Sequence, residues 1–260
     1  MIAHRKITED DNLFRYRNPS VVKYYAEATQ LEPVERKLFD KHLKPNISVL
    51  DIGVGGGRTT AYLAELSRDY VGIDYSEEMV RACRARYPSE RFELCDASKL
   101  SVFADGSFDA VIFSFNGVDM LGSEGRSRCF SEVARVLADE GKFIFSSHNA
   151  RRLAVLPMLR GVSPLRGVLR LGRAGLRTLQ TATRTIRTGA YGAGEGYVRD
   201  PVHGGLWTYT STPRTLEPQL SAAGFKVVDV LSAGTPDPKP VWLTPWFYYA
   251  CDRLARPARV

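Results

Sequence analysis

The chain has 260 residues, of which 44% are hydrophobic and 25% are charged, enough to bury a full core as one domain with a small inserted segment. No apolar run approaches the roughly 20 residues of a membrane span, and residues 1–10 lack the apolar stretch of a secretory signal, so we expect a cytoplasmic protein. The four cysteines form no C-x-x-C pair, so the sequence predicts no metal site and no disulfide framework.

The first predicted element is a helix from Pro33 to His42. It is followed by the most informative segment of the chain, VLDIGVGGGR from Val49 to Arg58, in which an apolar strand runs into an acid, a glycine-rich turn and the start of a helix. Glycines let the backbone turn sharply and approach a ligand, and the helix that follows presents unpaired N–H groups. This pattern predicts a pocket for a nucleotide-type cofactor.

The glycine spacing and one acid indicate which cofactor binds. A dinucleotide fingerprint, G-x-G-x-x-G, would need a third glycine where Arg58 stands. Asp51 would repel the pyrophosphate of NAD, whereas S-adenosylmethionine (SAM) carries an ammonium and a sulfonium against one carboxylate. The loop therefore favours SAM.

Acids also end the next two predicted strands. Asp74 ends an apolar run about one strand–helix–strand unit after Asp51, where a carboxylate could accept both ribose hydroxyls. The alternative is an N-cap for a helix that starts near Glu77. Asp96 follows a further unit on, where it could accept from the adenine amino group, and by itself it would be a turn residue. Buried strands at 107–115 and 140–147, with a helical pattern between them, complete a parallel core.

Residues 47–148 resemble the core of the class I SAM-dependent methyltransferases, the Rossmann-like family, in its small-molecule branch. The resemblance implies an α/β, doubly wound, mostly parallel seven-stranded sheet with an antiparallel last strand, an N-terminal helical lid and an inserted helical segment after the fifth strand. It also implies SAM as cofactor and S-adenosylhomocysteine as product.

The same resemblance assigns ten cofactor-binding residues. In order from the methionine portion to the adenine and back to the amino group, they are Asp51, Gly53, Gly55, Asp74, Tyr75, Met79, Asp96, Ala97, Phe115 and Asn116. The N-terminal segment resembles the family's lid, which would place Tyr16 and Tyr25 beside the sulfonium, since a cation over a ring gains roughly 0.5–2 kcal/mol. Ordinary helix packing is the alternative for these tyrosines.

We divide the chain into an N-terminal lid (1–46), the SAM-binding core (47–149), a basic inserted cap (150–205) and a completion of the core sheet (206–260). Within the last two parts, 192–196 is predicted as a loop and Trp207 as part of a substrate wall. A capped helix follows from Thr212 to Gly224. Strands are predicted at 226–231 and 246–251, with a short terminal helix as the alternative for 246–256.

The cap contains the basic feature of the chain. Residues 150–194 include nine arginines and no Asp, Glu or Lys, whereas the whole chain has a net charge of +7, so the excess positive charge is local. Arginines and leucines recur at helical spacing on different sides, which predicts a basic amphipathic helix, although four glycines weaken it. Three interpretations stay open: contact with an anionic membrane or lipid-linked substrate, a pocket wall for a phosphorylated or nucleic-acid substrate, and a solvated helix without a partner.

Methyl transfer is an in-line displacement, so positioning supplies most of the catalysis and a general base is optional. We predict His148 as the base for a hydroxyl acceptor, because it follows the fifth strand at the carboxyl edge of the sheet. Asn149 would orient the ring or the substrate, and His203 is the second candidate base. For each histidine the alternative is capping or packing.

The sequence thus predicts methyl transfer to an oxygen, or less favourably a nitrogen, of a small-molecule acceptor such as a sugar, a natural-product intermediate or a lipid-linked metabolite. The first alternative is an RNA methyltransferase, which residues 114–117 disfavour because they lack an Asn/Asp-Pro-Pro-aromatic tetrapeptide. The second is a catalytically silent SAM-binding module that docks to a membrane or partner. A homo-oligomer is compatible with all three.

Overall fold

The computed structural model describes residues 27–28, 30–153, 164–199, 207–234 and 240–255. Five parallel strands form the centre of its sheet, in the spatial order third, second, first, fourth, fifth. These strands are β1 (Ile47–Ile52), β2 (Ser67–Asp74), β3 (Arg91–Leu94), β4 (Phe108–Phe113) and β5 (Leu137–Asn149). The strand order reverses between β1 and β4, and ligands of open α/β sheets bind at the carboxyl ends of the strands beside such a point.

The antiparallel end of the sheet confirms the expected fold class. The last strand, β9 (Trp246–Arg253), pairs antiparallel with β5 from Lys142 to His148. On its other side it pairs antiparallel with β8 (Phe225–Ser232). The alternative of a terminal helix over these residues is therefore wrong.

A β-hairpin enlarges the sheet beyond the seven strands of the sequence prediction. Strands β6 (Glu195–Arg199) and β7 (Trp207–Ser211) pair antiparallel, and β7 joins the carboxyl end of β5 through His148 and Asn149. The described residues thus form nine strands in one sheet. The predicted loop at 192–196 is wrong at both ends, because residues 192 and 193 belong to a short helix and β6 begins at Glu195. The predicted boundary at 205 separates the two strands of this hairpin.

Helices cover both faces of the sheet because successive residues of each strand point to opposite sides. In β1, Val49 joins one apolar cluster while Leu50 and Ile52 join the other. The first cluster packs under α1 (Pro33–His42), α2 (Thr60–Leu66) and α3 (Glu77–Arg86), and the second under α4 (Ser123–Val136) and α7 (Pro213–Ala222). The bounds of α1 are those that the sequence predicted.

Within the described part of the basic insert, one continuous helix, α5 (Pro164–Arg187), is followed by the short α6 (Ala190–Ala193). Gly172 and Gly175 lie inside α5 without interrupting it, so the weakening predicted from the glycines does not end the helix at these positions. Each glycine costs about 1 kcal/mol against Ala, which a helix of this length tolerates. Across the ranges given above, no helix combines the length and apolar character that a bilayer span requires.

Candidate active site

A pocket of about 400 Å³ opens at the carboxyl ends of β1, β2 and β4, a volume within the roughly 300–1,000 Å³ typical of small-molecule sites. Nine of the ten predicted cofactor residues line it: Asp51, Gly53, Gly55, Asp74, Tyr75, Met79, Asp96, Ala97 and Phe115. The tenth, Asn116, follows Phe115 and is buried. The structure therefore brings residues from four separate segments to one cavity, while their roles stay predictions.

The glycine loop has a backbone that other residues would strain. Gly53 and Gly55 have φ values of +65° and +56°, in the left-handed region. A Cβ atom at Gly53 would lie 2.8 Å from Cε2 of Phe113, a pocket-lining ring. The Gly55 N–H donates to Oδ2 of Asp74 at 3.0 Å, which joins the loop to the end of β2.

Asp51 is a buried acid with an elevated pKa. Its Oδ2 accepts hydrogen bonds from Thr59 Oγ1 at 2.5 Å and from the Tyr70 hydroxyl at 2.9 Å. Burial raises the pKa of Asp51 to about 6, although both hydrogen bonds act in the opposite direction. An ionised acid in such surroundings is stabilised by a cationic ligand. Sequence reasoning missed Thr59 and Tyr70, which no local pattern links to Asp51.

Asp74 is held by backbone donors. Its carboxylate accepts from the N–H groups of Gly55 and Ser76, and burial raises its pKa to about 6. The alternative role as helix N-cap is wrong, because Ser76 is the N-cap of α3 and accepts from the Met79 N–H.

Asp96 combines a turn with a place in the pocket. Its two carboxylate oxygens accept from the N–H and the hydroxyl of Ser98, at 2.8 and 3.0 Å, while the residue lines the cavity beside Ala97. Asp96 is therefore a turn residue, as one interpretation of the sequence has it, and it also lines the pocket where the other interpretation places the adenine.

The turn after β4 has two consecutive left-handed residues that are not glycine. Phe115 has φ +56° and Asn116 has φ +62°. The Asn116 N–H donates to Ser146 Oγ at 2.8 Å. No residue in the described ranges hydrogen-bonds to the buried Asn116 Oδ1. Strained backbone and an unused buried acceptor are both concentrated at functional sites.

A buried ion pair links α1 to the glycine loop. Arg58, which lines the pocket, donates to both carboxylate oxygens of Glu35 at 2.5 and 2.8 Å. Ser114 Oγ also donates to Glu35, and the Arg58 guanidinium lies 4.9 Å from the centre of the Phe115 ring. Glu35 and Arg58 are 23 residues apart along the chain, and no local pattern in the sequence links them.

His148 forms a dyad with an acid that the sequence did not single out. Its Nδ1 lies 2.8 Å from Oδ2 of Asp119, which is fully buried in the 3-10 turn Gly117–Met120. A carboxylate only accepts, so Nδ1 carries a hydrogen, and in the neutral imidazole the lone pair is then on Nε2. His148 does not itself line the cavity, but Asp119 lies directly between the lining residues 117 and 120.

The remaining predicted residues fall into two groups. Asn149 donates to the carbonyls of Val241 and Thr244 and accepts from the Arg151 N–H, so its amide holds a neighbouring segment and has no free donor for a substrate. Trp207 begins β7, half-buried, and is not among the cavity-lining residues. Tyr16, Tyr25 and His203 lie outside the described residues.

Comparison with known proteins decides the family of the core. A methyltransferase-domain family model matches residues 50–145, the segment that contains the glycine loop and both strand-end acids. Residues 50–145 are therefore a methyltransferase domain. The sheet order and the pocket position of this methyltransferase domain agree with that assignment.

Curated relatives are similar over the same region. A demethylmenaquinone methyltransferase of Beutenbergia cavernae is 34% identical over 118 residues, which cover 45% of this chain and 48% of the relative. A trans-aconitate 2-methyltransferase of Variovorax paradoxus is 36% identical over 81 residues, or 30% of this chain and 31% of the relative. The matched region thus spans less than half the length of these relatives.

Solved structures extend the likeness to the fold of nearly the whole chain. A SAM-dependent methyltransferase of Methanosarcina mazei aligns with a TM-score of 0.58 at 20% identity, covering 87% of this chain and all of the other. A 1,6-didemethyltoxoflavin-N1-methyltransferase of Burkholderia thailandensis, with its substrate and S-adenosylhomocysteine bound, aligns with a TM-score of 0.61 at 16% identity. It covers 95% of this chain and 87% of that one.

Proposed function

We propose that this protein transfers the methyl group of SAM to a hydroxyl oxygen of a small-molecule acceptor. The observation that carries the proposal is the His148–Asp119 dyad, whose acid lies in the 3-10 turn that lines the pocket of the predicted cofactor residues through Gly117 and Met120. The pocket accounts for the cofactor, and the dyad favours an acceptor whose proton has to be removed.

The pocket fits SAM by the chemistry of its groups. Asp51 and the unused Asn116 Oδ1 are acceptors suited to the ammonium group of the cofactor. Asp74, fixed by two backbone N–H groups, is suited to the ribose hydroxyls. Tyr75 and Met79 supply apolar surface for the adenine, and Asp96 with Ala97 supplies an acceptor and a backbone donor for its edge.

Bound SAM supplies an electrophilic methyl group on a positively charged sulfur. The chain has to hold the acceptor in line with that methyl group and exclude water, which contributes about 7–11 kcal/mol in well-oriented reactions. With the methyl group supplied by SAM, Nε2 of His148 would accept the proton that the acceptor hydroxyl gives up. Asp119 keeps the imidazole in the tautomer that can accept this proton and stabilises the resulting imidazolium.

The acceptor class rests on this dyad. The Burkholderia thailandensis enzyme is an N1-methyltransferase, and an amine acceptor that is already neutral requires no base. An oriented imidazole has a clear use when the acceptor is a hydroxyl. Hydroxylated small molecules, among them sugars and lipid-linked intermediates, are therefore the first acceptors to test.

The first experiment is calorimetric titration with SAM and S-adenosylhomocysteine. We expect wild type to bind both and Asp74→Ala to bind neither. Asp69→Ala is the matched control, because it removes the same side chain from the exposed start of the same strand. Failure of folded wild type to bind either ligand would overturn the cofactor assignment, and a screen in which only amines are methylated would overturn the oxygen assignment.

A further inference from the structure

Helix α5 turns its apolar face toward solvent. Six large apolar side chains on this helix are each 51 to 66% exposed: Val168, Leu169, Leu171, Leu176, Leu179 and Ile186. At 100° per residue they fall within one half of the helix circumference. An amphipathic helix of a globular protein normally buries such a face against the core.

A different face of α5 attaches it to the protein. Ala174 and Thr185 are buried, and Thr178 and Thr181 are half-buried. Successive members of this set are three or four positions apart and therefore share one side of the helix, which contacts α6 and β6. Helix α5 thus packs on the protein through small side chains, while its apolar face, called here the leucine face, is exposed to solvent.

Arginines flank the exposed apolar face. Arg173 is exposed and lies four residues after Leu169 and three before Leu176, so it borders both leucines. Arg177 is exposed one turn further along the same edge, and Arg187 is exposed at the C-terminal end of the helix. Residues 150–194 contain no Asp or Glu, so nothing within this segment neutralises the arginines. Arginine stems can lie along apolar surface while their guanidinium groups stay at a polar boundary.

We propose that α5 docks lengthwise on an anionic lipid surface. Its leucine face would enter the boundary between headgroups and acyl chains, and its arginines would contact lipid phosphates. With 24 residues the helix is about 36 Å long, enough to lie along the surface over its whole length.

Two other occupants fit the face less well. A nucleic acid would engage the arginines but leave six large apolar side chains in water. A second copy, joined through the leucines, would bring two arginine rows close together without an acid from either α5. An anionic lipid surface satisfies both parts of the helix at once.

The same helix is connected to the rim of the pocket. Arg184 Nη1 donates to the Arg199 carbonyl in β6 at 3.2 Å, and the Tyr197 hydroxyl of β6 donates to the Leu121 carbonyl at 2.7 Å. Leu121 lines the pocket. If the proposed methyl transfer is correct, docking would favour acceptors that reside in the lipid, but the docking itself is tested without any acceptor.

The experiment is vesicle flotation of the full chain. We expect binding to equimolar phosphatidylcholine and phosphatidylglycerol vesicles, weakened by salt, and no binding to phosphatidylcholine alone. The apolar pair Leu176→Glu with Leu179→Glu and the basic pair Arg173→Gln with Arg177→Gln should each weaken binding about tenfold or more.

Matched controls separate docking from general effects on surface polarity. Val102→Glu and Arg81→Gln alter an exposed valine and an exposed arginine outside α5, and each should bind vesicles as wild type does. All variants should keep wild-type SAM affinity, which reports an intact fold.

Three results would overturn the proposal. The first is an absence of vesicle binding, or equal binding to vesicles with and without phosphatidylglycerol. The second is a dimer in light scattering that the leucine pair dissociates, which would assign the face to a second copy. The third is RNA binding that requires the arginines and not the leucines. Loss of SAM binding by wild type would contradict the proposed function and leave the docking result unaffected.

Discussion

Asp119 Oδ2 accepts two hydrogen bonds from one residue, His148: the backbone N–H lies 2.6 Å away and the ring Nδ1 lies 2.8 Å away. Its other oxygen, Oδ1, accepts from Ser147 Oγ at 2.7 Å, and the guanidinium of the buried Arg126 lies 4.0 Å from it. The acid is thus fixed from several sides, and it fixes both the backbone and the ring of His148. Such an arrangement resembles a base with an orienting group more closely than a histidine used for packing.

His148→Ala should lower kcat about 10²–10⁴-fold with a hydroxyl acceptor, because Nε2 then no longer accepts the proton. Asp119→Asn should also lower kcat and should change the pH–rate profile, since an amide can donate to Nδ1 and stabilise the wrong tautomer. SAM affinity should stay at the wild-type value in both variants. His42→Gln is the control, because that ring contacts Asp229 instead. Unchanged turnover in His148→Ala would show that positioning alone carries the reaction.

Asp51 should make stability and cofactor binding depend on pH in opposite directions. Burial raises its folded pKa from 3.8 to about 6, so the folded state holds the proton more tightly than the unfolded state does. Below about pH 4, Asp51 contributes roughly 2–3 kcal/mol to the free energy of unfolding. This contribution is lost as the pH rises toward 6. A cationic ligand prefers the ionised acid, so SAM affinity should rise over the same window.

Asp51→Asn tests this coupling. Relative to wild type, its free energy of unfolding should improve between about pH 4 and pH 7. Its SAM affinity should be weak and should depend less steeply on pH than that of wild type, with the remaining pH dependence coming from Asp74. Denaturant titration and calorimetry at several pH values measure the two quantities. Parallel pH profiles for wild type and variant would show that Asp51 is not the titrating group.

Two glycine substitutions should have opposite effects. Gly53→Ala places a side chain at φ +65° and 2.8 Å from the Phe113 ring, so we expect lower stability and weaker SAM binding. Gly175→Ala meets no atom within 4 Å and lies in a helix, so we expect it to stabilise α5 by up to about 1 kcal/mol. Thermal unfolding and circular dichroism measure both. A stable Gly53→Ala variant with normal SAM affinity would show that the loop relaxes readily.

Local patterns predicted much of the fold and the cofactor pocket. Asp51, Asp74 and Asp96 each lie at or just after the end of a predicted strand. Because the carboxyl ends of parallel strands meet at the same edge of the sheet, the sequence alone is enough to place these three acids at that edge. The bounds of α1 followed from a proline at its start and an apolar stripe. These signals are short-range and therefore readable from the chain.

The features that escaped prediction depend on contacts between distant residues. Asp119 precedes His148 by a helix and a strand, and only the packing of the 3-10 turn against β5 makes them a pair. Strands β6 and β7 are not joined by a two-residue turn but by a longer connection, so no turn motif in the sequence predicts their hairpin. Helix α5 was predicted as amphipathic, but which of its faces meets the protein depends on the surface beneath it.

The buried pair of Glu35 and Arg58 gives a last prediction, on how α1 is joined to the glycine loop. Their side chains are 0% and 9% exposed, so removing one partner leaves a buried charge without its counter-charge. Arg58→Met should therefore destabilise the fold by about 3–5 kcal/mol and weaken SAM binding. Adding Glu35→Leu to Arg58→Met should recover much of the stability, since an apolar pair requires no counter-charge.

The exposed pair of Arg81 and Glu77 is the matched control, with both side chains more than two-thirds exposed. Arg81→Met should change stability by less than about 0.5 kcal/mol, because solvent screens such a pair. Denaturant unfolding of the two singles and the double gives the coupling free energy between Glu35 and Arg58. If the stability changes of the two single variants simply add in the double variant, the two side chains act independently. The apolar contacts of α1 alone would then hold it to the glycine loop.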